Sequence, residues 1–118
     1  MEDARIWEFE ASLWTGDAGV YRALIDEACL MVLPAEPFVF TGEDAIAAVQ
    51  DTPRWDEVTF SHQNIVRPQE GLIVINYKAQ AHRADKAYTA YCTSTLRRLA
   101  HDEWHVVQHQ QTVPPTTG

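Results

Sequence analysis

The residues with the most chemistry in this 118-residue chain lie near its end, in WHVVQHQQT at 104–112. His105 and His109 are imidazoles, the groups that titrate nearest neutral pH and serve as general acids, general bases or metal ligands. Their spacing of four is that of a helical H-E-x-x-H metal site. The stretch reads as a β-strand, however, and there four residues span about 13 Å. Two imidazoles so far apart on one side cannot chelate one ion, so no metal is expected. Nucleophilic catalysis has as little support. No G-x-S-x-G elbow exists, and Cys29 and Cys92 sit in apolar or strand-like context, as small buried hydrophobes do. General acid–base chemistry at His109 remains, with Tyr77, Ser94 and Gln111 around it. His62 is a candidate second imidazole and Asp26 a candidate carboxylate. His109 and Gln111 also have two quieter readings. They could line a ligand without catalysis, or satisfy each other and buried backbone in a polar core.

The same strand poses a structural question. Soluble sheets usually put apolar side chains on one face and polar ones on the other, yet amides or imidazoles fall on both faces here. The elements around it must explain that.

Length and composition suit one domain, 1–118, with a packed core: 46 % of the residues are hydrophobic. Net charge is −8 and uneven. Residues 1–60 hold 13 acidic and 3 basic side chains, residues 61–118 hold 4 and 6. That balance argues against a nucleic-acid surface, which needs a basic stripe. No apolar run approaches the roughly 20 residues of a membrane helix, and the acidic start MEDARIWEFE is unlike a secretory signal. A cytoplasmic protein without membrane attachment is the expectation. Two cysteines are too few for a disulfide framework or a Cys-based zinc site.

The first half reads as helical. In EDARIWEFEASLW, Ile6, Phe9 and Leu13 form one stripe and Trp7, Ala11 and Trp14 an adjacent one. Gly16 stops this helix, and Asp17 is placed to cap a second, AGVYRALIDEA. A short strand ACLMVL follows, ended by Pro34. TGEDAIAAVQ announces a third helix, with Thr41 at its N-cap and Glu43 and Asp44 in the first turn. From residue 54 the period changes to two. RWDEVTFSHQNIVR, bent or bulged around His62–Asn64, is followed by GLIVINYKAQAHR, KAYTAYCTSTLRRL and EWHVVQHQQTV. The tail over 113–118 reads as loose. Helices followed by long antiparallel strands make an α+β domain, with a curved sheet around the helices.

The strand faces follow from the turns. A two-residue turn at Ala84–Asp85 pairs Tyr77 with Cys92. Ile73, Ile75, Tyr77, Ala79 and Ala81 then share an inner face with Tyr88, Ala90, Cys92, Ser94 and Leu96. Pairing Leu99 with Trp104 adds Val107, His109 and Gln111 to that face, with His105 near its end. It leaves Trp104, Val106, Gln108 and Gln110 outside. A PQEG turn at 68–71 turns Val58, Phe60, His62, Asn64 and Val66 inward. The outer patch of Lys78, Tyr91, Thr93, Thr95, Trp104, Val106, Gln108 and Gln110 is too apolar for a bare sheet, and a dimer interface is expected there. These assignments invert if a hairpin loop changes by one residue.

Taken in order, WTGD, YRALIDEACLMVLP, TGEDAI, RWDEVTFS, YKAQAHR, YTAYCTSTLRR and WHVVQHQQT resemble the NTF2-like superfamily, in particular small SnoaL-like or DUF4440-like proteins. The resemblance runs over nearly the whole chain and rests on motif order. It implies a cone-shaped α+β barrel with a pocket between helices and sheet, and a homodimer through the outer sheet face. Members of that superfamily include isomerases, dehydratases, polyketide cyclases, epoxide hydrolases and non-catalytic binding modules, so fold alone does not give function. Their catalytic patterns do not match this chain residue for residue, and none is carried over. The expectation is a small, mostly apolar organic ligand in a pocket lined by Trp14, Trp55, His62, Tyr77, Cys92, Ser94, His109 and Gln111, with no cofactor. The alternatives are an isomerase, cyclase or dehydratase that moves a proton through His109, and a non-catalytic dimerisation module.

Overall fold

The caps read from sequence start two of the helices. Asp17 accepts a hydrogen bond from the Val20 N–H at 2.9 Å, and the Thr41 hydroxyl accepts one from Asp44 at 3.1 Å. Each satisfies a donor that a helix start leaves orphaned. In the computed structural model, which describes residues 1–115, three helices and six strands follow in order. They are α1 (Asp3–Thr15), α2 (Ala18–Leu24), β1 (Ile25–Val32), β2 (Val39–Thr41), α3 (Gly42–Val49), β3 (Glu57–Gln69), β4 (Leu72–Arg83), β5 (Lys86–Ala100) and β6 (Glu103–Thr112). No helix among the described residues is long and apolar enough to cross a membrane. Residues 113–115 have no regular structure; the rest of the tail expected to be loose lies outside the described residues.

The strands form one sheet in the order β2-β1-β6-β5-β4-β3, antiparallel except for the parallel pair β1–β6. The α+β class is as expected. The cone is open, since β2 and β3 are free edges and the sheet does not close into a barrel.

Some boundaries differ from the sequence reading. α2 ends at Leu24, and β1 begins at Ile25 rather than Ala28. Asp26 is therefore a strand residue, not a helix end. Pairing with β6 wins over one more helical turn: Ile25 sits opposite Val106, and both are buried. The three-residue strand β2 carries too little pattern to be read in advance. Arg54 and Trp55 precede β3 and lie in a loop.

The hairpin β4–β5 keeps the expected register, with Arg83 opposite Lys86 and Tyr77 opposite Cys92. Its inner face is buried at Ile73, Ile75, Tyr77, Ala79, Ala81, Ala90, Cys92, Ser94 and Leu96.

The hairpin β5–β6 differs. Ala100 pairs with Glu103 and Arg98, not Leu99, with Trp104. A second irregularity follows, because Leu96 pairs with Val106 but Thr95 with Gln108. Val107 is the extra residue, and it reverses the alternation. Trp104 and Val106 consequently face the core, 8 % and 0 % exposed, and cannot form the outer patch. His105 faces outward instead, 3.6 Å from Asp26. Beyond the bulge the expected faces return: His109 pairs with Ser94 on the inside, and Gln108 and Gln110 meet Thr95 and Thr93 outside.

β3 is bulged where expected, between Ser61 and Asn64, with His62 in the left-handed region at φ 53°. Val58 and Phe60 face inward. After the bulge Ile65 takes the inner position, while Asn64 and Val66 turn out. His62 is exposed on the outer side, its ring 6.4 Å from Tyr91. It is not a pocket residue.

Ile6, Leu13 and Trp14 of α1 pack into the same core as the inner sheet face. α3 approaches β1 at Gly42, where a Cβ would stand 2.5 Å from the Asp26 carbonyl oxygen, so a larger residue would push the helix off.

The corrected β6 register gives a direct test. Val106→Ala should cost about 2–3 kcal/mol in urea unfolding, as buried aliphatic truncations do, without changing the molecular mass in solution. A cost within about 0.5 kcal/mol, the range for surface positions, would return Val106 to the outer face.

Candidate functional site

A carboxyl group stands at the centre of the molecule. Glu10 of α1 is 0 % exposed. Its Oε2 accepts hydrogen bonds from the Tyr77 hydroxyl at 2.5 Å and from the Ser94 hydroxyl. Its Oε1 has no partner among the described residues. The Tyr77 hydroxyl in turn accepts from Trp14 Nε1 at 3.1 Å. Ser94 Oγ lies 2.7 Å from His109 Nδ1, and His109 Nε2 lies 3.1 Å from Gln111 Nε2. Gln111 Oε1 accepts from Tyr88 at 2.7 Å.

These contacts define the tautomer. If Ser94 donates to Glu10, His109 Nδ1–H must donate to Ser94, and Nε2 accepts from the Gln111 amide. Four elements, α1, β4, β5 and β6, therefore share one hydrogen-bonded chain.

Burial sets the charges. It pushes the Glu10 carboxyl up to about 7, against the opposing hydrogen bonds from Ser94 and Tyr77. It pushes His109 down to about 4, partly opposed by a hydrogen bond to the Thr93 backbone. A buried carboxyl and a buried imidazole thus favour their neutral forms together. Cys92, beside Tyr77, is pushed up to about 12, chiefly by burial, and its thiol is inert.

His109 and Gln111 open onto a cavity of about 160 Å³ whose walls include Trp14, Tyr21, Leu33, Arg54 and Trp55. Trp55 stacks on Tyr88, with centroids 5.5 Å apart. Among the expected pocket residues, Trp14, Trp55, His109 and Gln111 line this space. Tyr77 and Ser94 stand behind His109 in the chain leading to Glu10. Cys92 belongs to the core, and His62 is on the other side of the sheet. Asp26 is remote from His109, in a bidentate pair with Arg97 at 2.9 Å. That pair lies in a wider groove of about 920 Å³ between α3 and the outer end of β5 and β6. Its central charges, Asp26 and Arg97, are already matched to each other. Among the described residues, no three His, Cys, Asp or Glu side chains form a metal-ligand group.

Glu10, Arg54 and Tyr88 were missed as site residues. Glu10 had a signal. At 100° per residue it falls between Ile6 and Trp14, in the middle of the apolar face of α1, where a carboxylate must find buried partners. Tyr88 lay on the expected inner face, but nothing marked it. Arg54 sits in a loop whose path no periodicity foretells.

No family model matches the chain, and no curated protein does either. Solved structures do. An NTF2-like protein from Cytophaga hutchinsonii superposes with a TM-score of 0.77 at 18 % identity, covering 97 % of this chain and 100 % of its own. An NTF2-like protein of unknown function in nutrient uptake, from Rhodospirillum rubrum, gives 0.79 at 18 %, with coverage of 97 % and 100 %. A candidate ketosteroid isomerase from Parabacteroides distasonis gives 0.78 at 17 %, with 92 % and 85 %. The chain has the NTF2-like fold.

The buried pair makes a pH prediction. The raised Glu10 group stabilises the fold below its unfolded value of 4.5, and that contribution is lost as pH rises through about 7. The depressed His109 group stabilises the fold above its unfolded value of 6.5, and that contribution is lost as pH falls through about 4. Between these values the two slopes cancel, since folded and unfolded chains each bind one proton at the pair. Glu10→Gln removes one slope. Its stability should rise from pH 4.5 to 6.5 by roughly 1.4 kcal/mol per pH unit relative to the unsubstituted protein, read as urea midpoints at constant m-value. Parallel profiles would show that Glu10 is not held neutral.

Proposed function

We propose that this chain binds a small organic molecule in the cavity between α1, α2 and β6. One observation carries the reading: about 160 Å³ of free space beside His109, at the open end of the polar chain that leads back to Glu10. Aromatic and aliphatic walls with a few convergent polar groups are the usual make-up of such sites. The volume is close to that of a cavity of about 150 Å³ that holds benzene, so a single ring is the fitting size. Kinship to SnoaL-like or DUF4440-like proteins is part of the same proposal and rests on motif order. The likeness to a candidate ketosteroid isomerase is compatible with a carbonyl compound as ligand.

Acid–base catalysis is the second reading, favoured by the Glu10–Ser94–His109 alignment. With Glu10 ionised, His109 Nε2 takes a proton from the ligand. Nδ1–H passes its proton to Ser94, and Ser94 passes its own to Glu10, leaving a neutral carboxyl. No proton is created or lost, and the reverse transfer resets the chain. A buried acid near neutrality is suited to this work. Once a turned-over compound is in hand, unchanged turnover in His109→Ala would exclude it.

The outer sheet face is proposed as a homodimer surface, without Trp104 and Val106. Gln108 and Gln110 bond to Thr95 and Thr93 across the strands, and Tyr91 and Lys78 lie alongside. Leu30, Val32 and Val39, from 47 % to 59 % exposed, extend this face. Such an area needs about 800 Å² of cover per partner for a stable pair. Light scattering at micromolar concentration should give twice the chain mass, and Leu30→Glu with Val39→Glu should halve it. A monomeric mass for the unsubstituted chain would end the proposal.

For the cavity itself, single-ring carbonyl compounds should quench Trp14 and Trp55 fluorescence. Leu33→Phe, which fills the space, should weaken that binding about tenfold or more. Equal affinity in this variant would place the ligand elsewhere.

A further inference from the structure

Among the described residues, Arg54 is the one lysine or arginine lining the cavity beside His109. Its position is fixed by several contacts. Nε donates to the Gly16 carbonyl at 2.7 Å, and Nη2 donates to the Leu13 carbonyl. Both acceptors belong to the C-terminal end of α1, where carbonyls lack helical partners and favour a cation. The guanidinium carbon stands 5.3 Å from the centre of the Tyr21 ring.

These contacts hold the group without neutralising it. Arg5, Arg67, Arg97 and Arg98 each have a carboxylate partner. Arg54 has none within 4.0 Å among the described residues, in a chain with 17 acidic side chains to 9 basic ones. Its Nη1 makes no hydrogen bond to the protein among those residues. The guanidinium is partly desolvated, and this draws its pKa below the ordinary range, although an arginine stays charged. No Asp or Glu among the described residues lines the cavity, and Glu10, at the far end of the polar chain, is held toward its neutral form by burial. A partly buried cation with a spare donor edge and no counter-ion is a recognition element for a carboxylate.

Resting on the reading of this cavity as a small-molecule site, we infer that its ligand is a ring-sized organic acid, with its carboxylate on Arg54, its ring among Trp14, Tyr21 and Trp55, and its far end toward His109. The walls supply apolar cover and Arg54 supplies the charge. The ligand is therefore amphiphilic, not mostly apolar as the sequence suggested.

Isothermal titration with benzoate, cyclohexanecarboxylate and benzamide tests this on the unsubstituted protein. Both acids should bind about tenfold or more tightly than the neutral amide, as a charge-assisted pair demands. Arg54→Gln should lose that preference while keeping the weak binding of benzamide. Arg54→Lys, which keeps the charge but not the fork, should fall between. Benzamide binding as tightly as benzoate would overturn the inference and leave the cavity as a site for neutral compounds. Binding of none of the three at millimolar concentration would overturn the inference and the small-molecule reading together. The first comparison needs no variant, so an effect of Arg54 on the end of α1 does not compromise it.

Discussion

The structure is organised by the cost of burying one carboxyl group. An unpaired ionised carboxylate is prohibitively expensive in a protein interior, and it either finds donors or becomes neutral. Glu10 does some of both. Tyr77 and Ser94 each point a hydroxyl at it from neighbouring strands, and Trp14 and His109 complete the chain from α1 and β6. The small inner-face residues make this arrangement possible. Ala79, Ala90 and Ser94 are 0 % exposed on this inner face.

Two bulges decide what each strand presents. Every residue of a regular strand alternates between faces, and one extra residue inverts the set beyond it. In β6 the bulge at Val107 allows one strand to bury Trp104 and Val106 near its start and His109 further along, while Gln108 and Gln110 face outward. In β3 the bulge after Ser61 turns His62 out and brings Ile65 in. The amides and imidazoles on both faces of WHVVQHQQT follow from this. His109 and Gln111 serve the inside, Gln108 and Gln110 bond to the threonines outside, and His105 meets Asp26.

Much of this was legible in the sequence because the signals were local. Asp17 and Thr41 mark helix starts by their own chemistry. The two-residue turn at Ala84–Asp85 determined the β4–β5 register, and with it the positions of Tyr77, Cys92 and Ser94. His109 was placed correctly beside Ser94 although Trp104 and Val106 were not, because the shifts on either side of those two residues, at Leu99 and at Val107, cancel. The failures were non-local. Nothing within β6 itself marks Val107 as the extra residue; the bulge answers to the core that Trp104 and Val106 must enter. Asp26 became a strand residue because β6 was there to pair with. Arg54 reached the cavity through a loop. Glu10 was visible as a charge on an apolar face, but its partners lie at least 67 positions along the chain.

The position of β6 in the sheet carries a consequence for how the molecule comes into being. β1 and β2 form one hydrogen-bonded piece, β3, β4 and β5 another, and β6 is the seam between them. Until that strand docks, neither piece has its neighbour, β1 and β5 present bare edges, and Glu10 has no imidazole within reach. Pairings of such long sequence separation are slow to form, because chain entropy must be surrendered before the contacts repay it. The strand that carries His109 is therefore also the one that joins the two pieces. The sheet is complete only once His109 stands beside Ser94.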